Sequence, residues 1–310
     1  MAAHRRILAA NARPASIGAA AGAGPDYGAE DRPDWRAVSW PTQVRAMTVA
    51  GRRVQLVSLG SGERRPLLLV HGLGGRWQNW LANIPRLART RQVVAVDLPG
   101  FGRSQMPLEP ISIEGWTQAL DRVCDLLELE APAIVGHSLG GLVATELALR
   151  FPQRAGALVL VDAATLTPVQ LRARTARIAV EGASRLIASL PRGAITRPRA
   201  RHLAYAGVIR HPTLIARDLL YELGGETHPP GTLQALAALA AHDIAGELAQ
   251  ITAPTLIVHG TGDVLIPAQD SERLAALLPE SRLELFADTG HMPMVERPVR
   301  FNDLLEDFLA

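Results

Sequence analysis

Short runs of unbroken apolar residues recur along the chain at Leu67–Val70, Val93–Val96, Ala133–Val135, Ala157–Val161 and Thr255–Val258. Runs this short and this rich in valine, leucine and isoleucine read as strands buried on both faces. Between them the spacing of apolar positions lengthens and predicts helices over Trp77–Ala88, Ile113–Leu129 and Leu139–Arg150. A parallel strand pair needs a crossover connection, so strands alternating with helices of this length form successive βαβ units. The expected class is α/β, with a mostly parallel central sheet flanked by helices. Ahead of it, Arg45–Ala50 and Arg53–Leu59 pattern as a hairpin turning at Gly51.

The alternation stops between about Thr165 and Leu248, where no strand-like run occurs. Within this stretch, Leu171–Leu190 sets Arg174, Arg177, Glu181 and Arg185 on one helical face and Leu171, Ile178, Gly182 and Leu186 on another. Pro191, Pro198, Pro212, Pro229 and Pro230 punctuate the rest, so several helices are expected. The strand pattern resumes at Ile251, with Ser281–Phe286 as a last strand and Glu296–Leu309 as a closing helix. The pattern predicts one core domain over 41–164 and 249–310, a helical cap over 165–248, and a flexible N-terminal extension over 1–40.

Composition narrows the class without naming an activity. An apolar fraction of 48% with 20% charged residues describes a soluble globular chain with a substantial core. Every basic residue is arginine, the net charge is only +2, and no run is long enough to form a nucleic-acid stripe. No nucleic-acid partner is expected. No window approaches ~18 uninterrupted apolar residues, so no integral membrane span is expected either. Near the N-terminus, Arg5 and Arg6 precede the apolar run Ile7–Ala10, but Asn11, Arg13 and Pro14 interrupt it before a signal-peptide core could form. A cytoplasmic location is expected, with secretion through a weak N-terminal signal as the alternative. The single cysteine, Cys124, lies among Leu120, Val123 and Leu127 and reads as a buried thiol. Between Thr165 and Leu220, arginines far outnumber the acids Glu181 and Asp218. They read as the solvated face of the cap or as an attractor for anionic substrates.

The strongest chemical signal is Gly136–His137–Ser138–Leu139–Gly140, set between an apolar strand and a helix. This is the G-x-S-x-G pattern of a nucleophile elbow, in which glycines let the two arms of a sharp turn approach. A serine hydroxyl needs a base to take its proton. Of the nine histidines, His291 in Thr289–Gly290–His291–Met292–Pro293 follows the last strand and is the expected base. His259 ends the preceding strand and should face inward. His202, His211, His228 and His242 lie in the cap, and His137 should point away from Ser138. A carboxylate must then orient the imidazole. Asp263, just after Thr255–Val258, is the expected acid; Asp162, at the end of Ala157–Val161, is its rival; Asp288 is expected to be solvated. No metal or cofactor is expected.

In this order of strand, loop, elbow, acid and histidine the chain resembles the α/β-hydrolase family over about Arg45 to Leu309. Asp97–Leu98–Pro99–Gly100–Phe101–Gly102–Arg103–Ser104 resembles the family's D-x-P-G-x-G-x-S loop, where the aspartate acts structurally. His71–Gly72–Leu73–Gly74–Gly75 is similar to its H-G-x-G loop. The resemblance implies an oxyanion hole made by the backbone N–H groups of Leu73 and Leu139. His71 would brace the loop. Serine at position 138 argues against epoxide or halide chemistry, which in the family uses aspartate. Members that hydrolyse carbon–carbon bonds of ring-cleavage products carry a W-x-N stretch like Trp77–Gln78–Asn79, but also tryptophan after the catalytic histidine, where this chain has Met292. Hydrolysis of a small-molecule carboxylic ester or lactone through an acyl-enzyme is therefore expected. Carbon–carbon bond hydrolysis, or a ligand-binding member with little turnover, is the alternative. Neither the substrate-binding residues nor the oligomeric state can be read from the sequence.

Overall fold

The computed structural model describes residues 14–166, 196–224 and 231–310. Among them, strands β1 (Val44–Val49), β2 (Arg52–Leu59), β3 (Leu67–Val70), β4 (Val93–Val96), β5 (Ala133–His137), β6 (Ala157–Val161), β7 (Thr255–Gly260) and β8 (Ser281–Phe286) form one sheet. Its order is β1-β2-β4-β3-β5-β6-β7-β8. The pairs β1–β2 and β2–β4 are antiparallel, and every pair from β4 to β8 is parallel. The hairpin turns through Ala50 and Gly51, both at positive φ, as a two-residue connection matched to strand twist requires.

Alternate residues of each central strand feed opposite cores. Leu68, Val70 and Ile134 belong to one apolar cluster, together with Leu120, Val123, Leu142 and Leu147 of helices α1 (Ile113–Leu126) and α2 (Leu139–Arg150). Leu67, Leu69, Ala133 and Val135 belong to the other, with Trp77, Trp80 and Ile84. Helices α3 (Pro198–Tyr205), α4 (Arg217–Gly224) and α5 (Thr232–Ala241) occur between β6 and β7, followed by α6 (Ala268–Leu277) and α7 (Pro298–Phe308). Phe301 and Leu305 of α7 close the second cluster. No helix among the described residues is long and apolar enough to cross a membrane. Cys124 is buried, and burial pushes its thiol pKa up to about 12.

Several elements differ from the sequence expectation. The helix expected over Trp77–Ala88 is a 3-10 turn, Trp77–Trp80, and a separate single turn, Ile84–Leu87. Pro85 has no N–H to continue a helix, and Asn83 spends its side-chain amide on Met294 O and Asn302 Oδ1, both at 3.0 Å. The closing helix begins at Pro298, two residues later than expected, because Arg297 (φ −137°) precedes a proline and is pushed out of the helical region. Part of the stretch read as a loose extension lies against the core: Tyr27 is buried, its hydroxyl bonds Glu296, and Gly28 N donates to Glu296 O at 2.7 Å. The amphipathic helix expected over Leu171–Leu190 lies outside the described residues.

Candidate active site

Connections from β3 and β5 leave in opposite directions, since β4 and β6 flank this central pair on its two sides. Such a reversal opens a crevice at the carboxyl ends of the strands. Ser138 stands there, between β5 and α2, with φ 53° and ψ −118°. This conformation costs a non-glycine residue on the order of 1–3 kcal/mol and persists only where its surroundings impose it. The surroundings do so: Ser138 N donates to Val161 O at 2.9 Å, and Ser138 O accepts from Gly141 N at 2.9 Å and Ala164 N at 3.0 Å. The turn is also tight. A Cβ at Gly136 would fall 2.3 Å from Gly140 O, and one at Gly140 would fall 2.4 Å from both Val70 O and His71 O. Ser138 is left partly exposed between the buried His137 and Leu139.

The loop after β3 lies against this elbow, since a Cβ at Gly72 would come 3.0 Å from Ser138 Cβ. His71 fixes the loop. Its Nδ1 lies 2.7 Å from Gly72 O, and its Nε2 accepts from Leu98 N at 3.0 Å. A carbonyl only accepts, so the proton sits on Nδ1 and the ring is neutral; burial lowers its pKa. Leu73 follows in the same loop, and Leu139 opens α2, where the first N–H groups have no intrahelical acceptor. Asp97 accepts from Trp77 N (2.8 Å) and Arg103 N (2.9 Å) and so ties the next loop to the site.

Asp263 and His291 come together at the ends of β7 and β8. His291 Nδ1 donates to Asp263 Oδ2 at 2.6 Å, while Asp263 Oδ1 accepts from Leu265 N (2.7 Å) and Ile266 N (3.1 Å). Burial alone would raise the Asp263 pKa, but His291 and the amide donors outweigh it and hold the carboxyl down at about 2. Asp162, the rival acid, bonds Gly260 N at 3.1 Å through Oδ1 and makes no hydrogen bond to His291. Asp288 pairs instead with Arg210 (3.0 Å) and His211 (2.7 Å), so it is engaged and not simply solvated.

Two supporting residues escape sequence reading. His137 braces the loop that carries His291: its Nε2 donates to His291 O at 2.7 Å and the two rings lie 4.8 Å apart. Burial and the neighbouring His291 lower its pKa to about 3, so it is neutral. Glu296, fully buried, accepts from Gly290 N (2.8 Å) and Met292 N (3.1 Å), the amides on either side of His291. The one available signal was its place five residues after the histidine. His259 is buried as expected, with Nε2 donating to Ile266 O at 3.1 Å and Nδ1 bonded to Ser271 Oγ at 2.7 Å.

Among the described residues, two clusters have metal-ligand composition. Most of these groups already hold protein partners. His242 bridges Glu114 (3.2 Å) and Glu146 (3.1 Å), with Arg150 on the other Glu146 oxygen, and Asp263 is committed to His291.

Residues 67–304 match the model of the alpha/beta hydrolase family. The chain is 31% identical over 278 residues to the 2-hydroxymuconate semialdehyde hydrolase of a Pseudomonas species, covering 86% of this chain and 93% of that one. It is 32% identical to the 2-hydroxy-6-oxo-2,4-heptadienoate hydrolase of Pseudomonas putida, covering 86% and 96%. Among solved structures, an esterase from Thermogutta terrifontis superposes with a TM-score of 0.70 at 26% identity, covering 86% of this chain and 98% of that one. With the parallel sheet, the strained serine between β5 and α2 and these matches together, the chain belongs to the alpha/beta hydrolase family.

Proposed function

We propose that this hydrolase cleaves carboxylic esters or lactones through an acyl-enzyme formed on Ser138. His291 Nε2 takes the Ser138 proton as the hydroxyl attacks the carbonyl carbon, and Asp263 holds the imidazole with its other proton on Nδ1. The Leu73 and Leu139 N–H groups stabilise the oxyanion. The imidazolium then protonates the departing alkoxide, and water repeats the sequence to release the acid. The observation that carries this reading is the 2.6 Å Asp263–His291 bond on the same sheet edge as Ser138. A chromogenic short-chain ester tests it: burst release of the alcohol in wild type and none in Ser138→Ala is expected, and an active Ser138→Ala refutes it.

The names of the two relatives favour a second reading, hydrolysis of a carbon–carbon bond. Carbon–carbon cleavage expels a carbon leaving group and needs an electron sink and a proton donor beyond the triad, whereas an ester expels an oxygen that the imidazolium serves directly. One local feature supports the ester: the residue after His291 is the apolar, buried Met292. Comparing kcat/KM for a ring-cleavage dienoate and for an aliphatic ester decides between them.

A further inference from the structure

Behind the Asp263–His291 pair lies a second carboxyl that the mechanism does not use. Asp162 follows β6 with φ 42°, is fully buried, and lies beside the Asp263 carboxyl: one ligand atom each of Asp162, Asp263 and His291 lie within 4.8 Å of one another. Its Oδ1 accepts from Gly260 N at 3.1 Å, while the buried Oδ2 has no donor directed at it.

Two adjacent buried carboxyls cannot both be ionised without positive charge to offset them. The groups facing Asp162 are Asp263 and His259 from β7 and its loop, His291 from the loop after β8, and the more distant Glu296 from the single helical turn Pro293–Glu296. His259 Nε2 lies 3.4 Å from Asp162 Oδ1 and 3.8 Å from Asp263 Oδ2. Its bonds to Ile266 O and Ser271 Oγ suit a neutral ring, which burial also favours. His291 directs its Nδ1–H at Asp263, which also collects two amide donors. The negative charge therefore belongs on Asp263 and a proton on Asp162. We propose that Asp162 is a neutral carboxylic acid whose Oδ2–H donates to Asp263, making it a positioning residue for the triad acid. Burial and the Asp263 charge both favour this protonated form. The inference rests on Asp263 and His291 being the acid and base.

Three measurements test it. In the infrared at neutral pH, without substrate, the difference between wild type and Asp162→Asn should show the carbonyl stretch of a protonated carboxyl lost in the variant. No such band overturns the proposal whether or not the enzyme is an esterase. In kcat/KM against pH, Asp162→Asn keeps a neutral donor and should leave the acid limb where it is. If Asp162 were ionised, removing its charge would move that limb down by about one to three units. Asp162→Ala removes the donor and should lower kcat by about tenfold to a hundredfold, the worth of one hydrogen bond to an ionised group, with KM little changed and most of the loss restored in Asp162→Asn. Wild-type kcat in a folded Asp162→Ala refutes the positioning role. Should that variant fail to fold, the infrared band and the Asp162→Asn profile still decide.

Discussion

Asp263→Asn tests the proposed triad through a feature specific to this loop. The Oδ1 atom of Asp263 is held by two backbone donors, Leu265 N at 2.7 Å and Ile266 N at 3.1 Å. An asparagine side chain has one oxygen, and only that oxygen can accept from those amides. Its NH2 group must then face His291 Nδ1, where wild type presents a carboxylate oxygen at 2.6 Å. That donor forces Nδ1 to accept, so the imidazole proton moves to Nε2 and the lone pair needed by Ser138 is lost. Turning the amide over would leave two amides facing an NH2 group. The expected loss in kcat is roughly 10⁴, about 5.5 kcal/mol of transition-state stabilisation. Steady-state hydrolysis of a chromogenic ester measures it, with circular dichroism establishing that the variant is folded. Fluorophosphonate labelling of Ser138 should slow in parallel, because it uses the same base. A folded variant that keeps more than about a tenth of wild-type kcat would show that Asp263 does not set the tautomer.

Other consequences follow from single contacts. A fluorophosphonate should label wild type at Ser138 alone, and mass spectrometric detection of another site would reassign the nucleophile. Gly140→Ala puts a methyl group 2.4 Å from two backbone carbonyls and should abolish folding or lower Tm sharply, read by thermal melting; a normal Tm would mean that the elbow is looser than described. Tyr27→Phe leaves Glu296 and His211 N each one partner short and should cost about 1–3 kcal/mol in urea denaturation. The pH dependence of stability separates the two aspartates. Asp263, depressed from 3.8 to about 2, contributes stability that is present above pH 3.8 and lost as pH falls toward 2. Asp162 is raised, so the folded state binds the extra proton and stability falls as pH rises above 3.8 toward its folded pKa. Asp162→Asn should accordingly be more stable than wild type at neutral pH and lose that advantage in acid.

Short-range pattern made the sheet and the elbow legible. Runs such as Leu67–Val70 have no polar residue to place on a solvent face, and the glycines around Ser138 answer steric demands within a few residues. Choosing between Asp162 and Asp263 was harder, because both follow neighbouring strands. Register separates them: Val161 pairs with Val258, so Asp162 stops at the strand end, while Asp263 lies farther along the β7 loop beside β8 and His291. What stayed hidden depends on partners remote in sequence. His137 meets the His291 carbonyl 154 residues away, and Tyr27 meets Glu296 across 269. No local period encodes such contacts. The divided helix at Trp77–Leu87 was missed for another reason: its apolar residues are buried as helical spacing requires, but Asn79 bonds the local backbone and Asn83 bonds the C-terminal helical segments.

The proposed base is held less by its own loop than by the groups that converge on Glu296. That carboxyl receives the amides flanking His291, the amide of Arg210 from between β6 and β7, and the hydroxyl of Tyr27 from the N-terminal segment. Burial raises the Glu296 pKa, while the donors around it pull the other way. Arg297, next in sequence, bonds Asp26, Ala23 O and Thr289 Oγ1, which ties the same segments a second time. A buried polar network is stable only when its members are satisfied together, so these contacts stand or fall as a unit. His291 therefore draws its orientation from both sides of the ring. Asp263 fixes the proton on Nδ1, and Glu296 and His137 fix the backbone that carries the imidazole.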